Sequence, residues 1–223
     1  YVSGSKENLY NPNITEIDNA ISQPSTSSYT GVYTSTGYLA RLQYDYADKY
    51  FLSGSFRRDS SSRFHPDNRW GNFWSVGAGW LLNKEDFMAG IDNIDMLKFK
   101  LSYGVQGNDN LAYSGLHNYN YYSDHYGISD ANGDFALSLT YKGNKEITWE
   151  HNQEWNTGVE LSLFKDRLSG SVEYFNRKTS DLLYNKSVPM TSGNPLGYYP
   201  TNIGAMRNSG VEFEIKGTPI RTN

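Results

Sequence analysis

Strict period-two alternation constrains this chain more than any other feature. It is plainest in residues 50–80, YFLSGSFRRDSSSRFHPDNRWGNFWSVGAGW. Tyr50, Leu52, Gly54 and Phe56 fall on one face of an extended strand, and Ser53, Ser55 and Arg57 on the other. After a polar, turn-rich interval, Trp74, Val76, Ala78 and Trp80 oppose Ser75, Gly77 and Gly79. Such a pattern belongs to strands that separate two environments, and a 3.6-residue helical period cannot produce it.

The same pattern recurs along the chain. Tyr38–Tyr46 sets Tyr38, Ala40, Leu42, Tyr44 and Tyr46 against Arg41, Gln43 and Asp45. Met96–Gln106 sets Leu97, Phe99, Leu101, Tyr103 and Val105 against Lys98, Lys100, Ser102, Gly104 and Gln106. Trp149–Phe164, Leu168–Arg177 and Val211–Lys216 complete about seven strands. Residues 1–35 read as loop, entering a strand near Tyr29. The connections alternate in length. Ala47–Lys49, Lys84–Asp95 (a short helical turn) and Lys165–Arg167 are short, whereas Asp59–Gly71, Gly107–Ile147 and Thr179–Met206 are long.

Two environments fit alternation, a core and solvent or lipid and a wet lumen. The face opposite the apolar one carries Arg41, Arg57, Lys98, Lys100, Glu160, Glu173, Glu212, Glu214 and Lys216, whereas a small soluble barrel fills its interior with apolar groups. Mean hydropathy is −0.67, yet aromatic residues make up 15% of the chain, with 19 Tyr, 10 Phe and 5 Trp. Rings gather at strand ends, as in the two girdles of a membrane barrel. No run of eighteen apolar residues is present for a spanning helix. The fold expected is therefore all-β, a partial antiparallel transmembrane β-barrel, with short turns periplasmic and long loops extracellular. An open sheet edge is not tolerated in lipid, so seven strands are expected to be a piece of a larger barrel. A net charge of −4 leaves no basic footprint for nucleic acid. The absence of cysteine removes disulfide and thiolate chemistry. No signal peptide stands at Tyr1, as expected of a processed or truncated chain.

Several phrases together resemble one family. YLARLQYDYADKYFLSGSFRRDSSSRF, WSVGAGWLLNKEDF, LKFKLSYGVQGNDN, ITWEHNQEWNTGVELSLFKDRLSGSVEYFNRKTSDLL and NIGAMRNSGVEFEI are, in this order, similar to the barrel of SusC/RagA-like TonB-dependent outer-membrane transporters. The resemblance covers roughly residues 30 to 216. It implies a plugged barrel of the 22-stranded class, of which this chain is a part, without the plug, the TonB-contacting segment or the last strands. It further implies residence in the outer membrane of a Gram-negative bacterium and a SusD-like surface lipoprotein as lid. The TonB complex would be the energy source, outer-membrane lipid the surroundings, and oligosaccharides or peptides the cargo. A passive porin, or a soluble β-rich carbohydrate-binding module, is the alternative reading.

Catalytic chemistry finds no support. The histidines His65, His117, His125 and His151 show no paired metal-ligand spacing, and no Gly-x-Ser-x-Gly elbow occurs. Asp130-x-Asn132-Gly133-Asp134 lacks the closing glutamate of a calcium loop and reads as a turn. No catalytic residue, metal or cofactor is expected. The ligand-binding candidates are Tyr113, Tyr119, Tyr121, Tyr122 and Tyr126 of the longest loop, because aromatic faces stack on sugar rings and peptide side chains. Rings on loops equally serve partner interfaces, the lid among them. Arg57, Arg58, Asp59 and Arg63 form a charge cluster at the rim, read as inward groups pairing with each other and the wall, or else as a site for acidic substrate groups.

Overall fold

A computed structural model describes residues 2–5, 13, 25–28, 30–111, 120–131, 134–194 and 196–218. The strands are β1 (Val2–Ser5), β2 (Ser25–Ser28), β3 (Ser35–Tyr46), β4 (Tyr50–Ser61), β5 (Trp70–Leu81), β6 (Ile94–Asn108), β7 (His125–Ala131), β8 (Asp134–Tyr141), β9 (Glu150–Leu163), β10 (Leu168–Ser180), β11 (Leu183–Ser187), β12 (Tyr198–Asn202) and β13 (Ala205–Gly217). Two compact units are present. In the first, β1 and β2 form a small antiparallel hairpin paired from Val2↔Ser28 to Ser5↔Ser25.

The second unit is a wall. Among the described residues its main sheet has seven antiparallel strands in the order β13-β10-β9-β6-β5-β4-β3. The sheet does not close on itself in this chain, as expected for part of a larger barrel. The cross-strand register keeps the alternating faces intact: one row runs Tyr46↔Tyr50↔Trp80↔Phe99↔Val159↔Val172↔Phe213. Large apolar groups on this outward face stay exposed, Leu42 at 75% and Phe213 at 74%. A soluble sheet would bury such a row under a second layer; here no second layer covers it among the described residues. Strands of 12 to 15 residues also exceed the roughly 9–11 that a bilayer requires.

Rings mark both boundaries of the apolar band. At the short-turn rim Tyr50 stacks on Trp80, with centroids 6.2 Å apart. Toward the other rim Tyr38 stacks on Trp70 at 6.2 Å, and Trp155 meets Tyr174 at 5.5 Å. The inward face is wet and charged: Lys100 Nζ lies 2.6 Å from a Glu160 oxygen and 3.6 Å from Glu173, and Arg177 is 2.9 Å from Glu154.

The Ala47–Lys49 turn follows the sequence reading. Ala47 and Asp48 take positive φ of 54° and 50°, the backbone that a tight hairpin of matching twist requires. The second turn includes Phe164 as well as Lys165–Arg167. Lys84–Asp95 contains the expected helical turn, Asp86–Met88, and a second turn, Leu82–Lys84, runs into it from β5; both are 3₁₀. Between them Glu85 accepts from Tyr50 Oη at 2.6 Å, Trp80 Nε1 at 3.0 Å and Lys49 Nζ at 3.3 Å. These bonds hold its carboxyl below the ordinary range, the Tyr50 hydroxyl contributing most and the Trp80 indole next. A carboxyl depressed in the fold lends stability above its unfolded pKa of about 4.3 and withdraws it as pH falls through the lower folded value. Acid titration of tryptophan emission should therefore show a step in the wild-type barrel that is missing from Glu85→Gln. Superimposable curves would show that Glu85 does not support this turn.

The long connections depart from the sequence reading. β4 continues to Ser61 and β5 begins at Trp70, which shortens the Asp59–Gly71 loop to residues 62–69. The Gly107–Ile147 segment contains the β7–β8 hairpin, and Thr179–Met206 contains β11–β12. Above the bilayer a strand needs no apolar face, so backbone pairing continues where the alternation signal stops.

Candidate functional site

Among the described residues, the buried hydrophobic side chains gather at the long-connection rim. Phe64, Phe73, Leu111, Tyr121, Ile147, Trp149 and Leu183 form one cluster drawn from several connections. Phe64 meets Trp149 at 5.4 Å and Phe73 meets Trp149 edge-on at 5.2 Å. Gly71 and Gly107 are required there, since a Cβ on either would run into the Phe73 ring. Polar ties cross between the same connections. Trp149 Nε1 donates to Arg69 O at 3.0 Å, Asn68 Nδ2 to Lys145 O at 3.0 Å, and Asn144 Nδ2 to Pro200 O at 2.9 Å. Asn202 accepts from Thr148 N at 2.8 Å and donates to Thr148 O at 2.9 Å. Buried backbone groups must find partners, and these asparagine amides supply them where no ladder runs.

The tyrosines separate into different environments. Tyr113 and Tyr119 lie outside the described residues. Tyr121 is 2% exposed; its N–H donates to Arg63 O at 2.9 Å and its hydroxyl accepts from Leu111 N at 3.3 Å. That ring packs the connections together. Tyr122 is half-buried, edge-on to His65 at 5.3 Å. It lines a polar cleft of about 660 Å³ with His65, Asp124, Lys142 and Lys145. Tyr126 is exposed on β7. In the cleft Lys142 Nζ reaches Asp124 at 2.8 Å, and Gly143 N donates to the same carboxylate at 2.9 Å. The Lys142 hydrogen bond is the main cause that holds Asp124 below the usual carboxylate range, and the same bond raises Lys142. Asp124 and Lys142 carry no sequence signal of their own; seventeen residues of chain separate them.

The rim charges do not form one cluster. Arg57 Nε donates to Asp59 at 2.7 Å on the inward face. Arg63 Nη1 donates to the Asp109 carboxylate and carbonyl, both at 3.1 Å, and its guanidinium lies 5.9 Å from the Tyr121 centroid. Arg58 departs from the inward reading. Alternation and register put it on the outward face beside Tyr38 and Asn72, with its guanidinium 5.1 Å over the Trp70 ring.

Two hollows flank the wall. The outward one, about 660 Å³, is bordered by Leu42, Leu52, Gly54, Val76, Leu101 and Trp155 and suits acyl chains rather than polar cargo. The inward one, about 590 Å³, is bordered by Gln43, Asp45, Lys98, Lys100, Asn156 and Glu173. Among the described residues no group of three or more His, Cys, Asp or Glu could hold a metal ion.

An antiparallel wall with an exposed apolar face, a charged opposite face, rings at both boundaries and its connections tied at one rim has the features of a transmembrane β-barrel wall. The family model described as TonB dependent receptor-like, beta-barrel matches residues 3–221, and the chain belongs to that family. It is 37% identical over 182 residues to TonB-dependent receptor P39 of Formosa agariphila, covering 82% of this chain and 17% of that protein. It is 32% identical over 200 residues to TonB-dependent receptor SusC of Bacteroides thetaiotaomicron, covering 88% and 20%. In structure it matches the RagAB peptide transporter with a TM-score of 0.78 at 27% identity, over 91% of this chain and 22% of that one. The SusC/RagA-like resemblance is thus borne out, and the chain spans about a fifth of the length of these relatives.

Proposed function

We propose that this chain supplies part of the barrel wall and loop rim of a TonB-energised importer in the outer membrane of a Gram-negative bacterium. The observation that carries this reading is the wall itself, apolar and ringed outside, ion-paired and wet inside. The cargo is an oligosaccharide or peptide, received at the polar cleft where Tyr122 offers a ring edge and Asp124 and Lys142 offer charge-assisted hydrogen bonds. Tyr113, Tyr119 and Tyr126 are further candidates for contact. A SusD-like lipoprotein is the lid. The outward-turned row of the β7–β8 hairpin, Tyr126, Ile128, Phe135 and Leu137, supports a partner surface there, with exposures between 59% and 88%. An isolated two-stranded hairpin is marginal in water, and covering this row would steady it. The wall has no catalytic role.

The test is uptake by cells carrying the whole transporter as the sole route for a labelled glycan or peptide. Uptake should stop when TonB is removed and fall about tenfold in Tyr122→Ala, the scale of one lost ring contact of about 1.4 kcal/mol. Uptake that persists without TonB would identify a passive pore instead. TonB-dependent uptake indifferent to Tyr122→Ala would move the cargo site elsewhere.

A further inference from the structure

The outward face carries very few charges, and their distribution is uneven. Register and alternation assign Arg58 of β4, Lys178 of β10 and Arg207 of β13 to the lipid side. Apart from Asp95 at the β6 bulge, the outward positions of the seven strands hold no acid. All three cations lie toward the long-connection rim. Arg58 is the ninth residue of β4 counted from Tyr50, Lys178 the eleventh of β10 from Leu168, and Arg207 the eleventh of β13 from Gly217. A tilted strand crosses the hydrocarbon in roughly 9–11 residues, so each cation stands at the outer boundary of the bilayer.

Two features go beyond tolerance of a boundary charge. Lys178 and Arg207 are directly opposed across adjacent strands, an arrangement of like charges that destabilises a sheet unless an anion sits between them. The neighbours of Lys178 on that face, Gln153, Asn176 and Ser180, are all uncharged. The Arg58 guanidinium carbon lies 5.1 Å from the centroid of the Trp70 ring, which is itself stacked on Tyr38. The ring backs an exposed guanidinium, a group whose fork of N–H donors suits bidentate recognition of phosphate. All three side chains are exposed, and none is ion-paired among the described residues.

We propose that Arg58, Lys178 and Arg207 form a cationic belt that binds the phosphate-bearing headgroups of lipids in the extracellular leaflet. The Lys178–Arg207 pair clasps one phosphate and the ring-backed Arg58 another. This inference rests on the outer-membrane barrel reading above and adds a lipid class and its ligands.

The test uses the whole transporter, purified in mild detergent with its native lipid and weighed intact by mass spectrometry. Wild type should retain phosphorylated glycolipid, and the triple variant Arg58→Gln, Lys178→Gln, Arg207→Gln should retain at least fivefold less. The inward Arg177→Gln control should match wild type. In a second arm, lipid-stripped wild type is offered a phosphorylated glycolipid or its dephosphorylated form, and only the former should bind. Equal retention by wild type and the triple variant, equal binding of both lipids, or displacement by millimolar inorganic phosphate overturns the proposal. Heat-modifiable gel mobility reports folding; if the triple variant does not fold, the second arm decides. Wild-type protein absent from the outer membrane would instead defeat the barrel reading.

Discussion

Val76→Arg is expected to prevent stable insertion of the barrel, while Gln43→Arg leaves it nearly unchanged. Val76 lies midway along β5 on the outward face, between Gly54 of β4 and Tyr103 of β6. Gln43 lies on β3, on the inward face, opposite Ser53. The substitutions add the same side chain and charge at similar depth and differ in the solvent they meet. Arginine at the bilayer midplane of a lipid-facing strand costs about 2–4 kcal/mol, whereas lumen positions accept charge. At 1.4 kcal/mol per decade, that lowers the folded-to-unfolded ratio by roughly 30-fold to nearly a thousandfold. Urea titration of the whole barrel in vesicles, with heat-modifiable mobility as readout, measures it. Equal costs on the two faces would refute the lipid–lumen assignment.

Trp149→Ala should loosen the loop rim without unfolding the wall. The indole is 7% exposed, touches Phe64 and Phe73, and donates to Arg69 O. Truncating a buried tryptophan costs about 3–5 kcal/mol through lost contacts and the cavity left behind. Cleavage of a transiently opened segment follows its open population. An external protease should therefore cut residues 62–69 or 120–149 at least a hundredfold faster in this variant, with gel mobility of the barrel unchanged. Trp149→Phe should fall between the two. Unchanged cleavage would mean that the aromatic cluster does not hold the connections together.

Legibility in the sequence followed the presence of lipid. Where a strand crosses the bilayer, one face must be apolar, so the alternation of Leu97 to Val105 or Trp155 to Leu163 was visible from residues alone. Beyond the boundary that requirement lapses. The upper turns of β4 (Arg58 to Ser61) and the β11–β12 hairpin are held by backbone pairing among polar residues, which composition does not distinguish from loop. The rim was hard to read for a related reason: its geometry depends on partners far apart in sequence. Tyr121 and Tyr122 are adjacent and of one type, yet one is buried against Arg63 and Leu111 and the other lines the cleft. Only the meeting of three connections decides which is which.

The register also fixes an angle. From the last β3–β4 pair, Tyr46↔Tyr50, the row through Trp80, Phe99 and Val159 reaches β10 at Val172, four residues above its start at Leu168. Four strand steps thus bring a shear of four residues, one per strand. With about 3.3 Å of rise per residue and 4.8 Å between strands, that slope corresponds to a tilt of roughly 35°. Most of that offset arises at the step from β5 to β6, where Trp80, one residue from the end of its strand, pairs with Phe99, five residues into the next. At that average, two further strands bring about two further residues of shear, so a barrel of this kind can widen its lumen without re-tilting its wall.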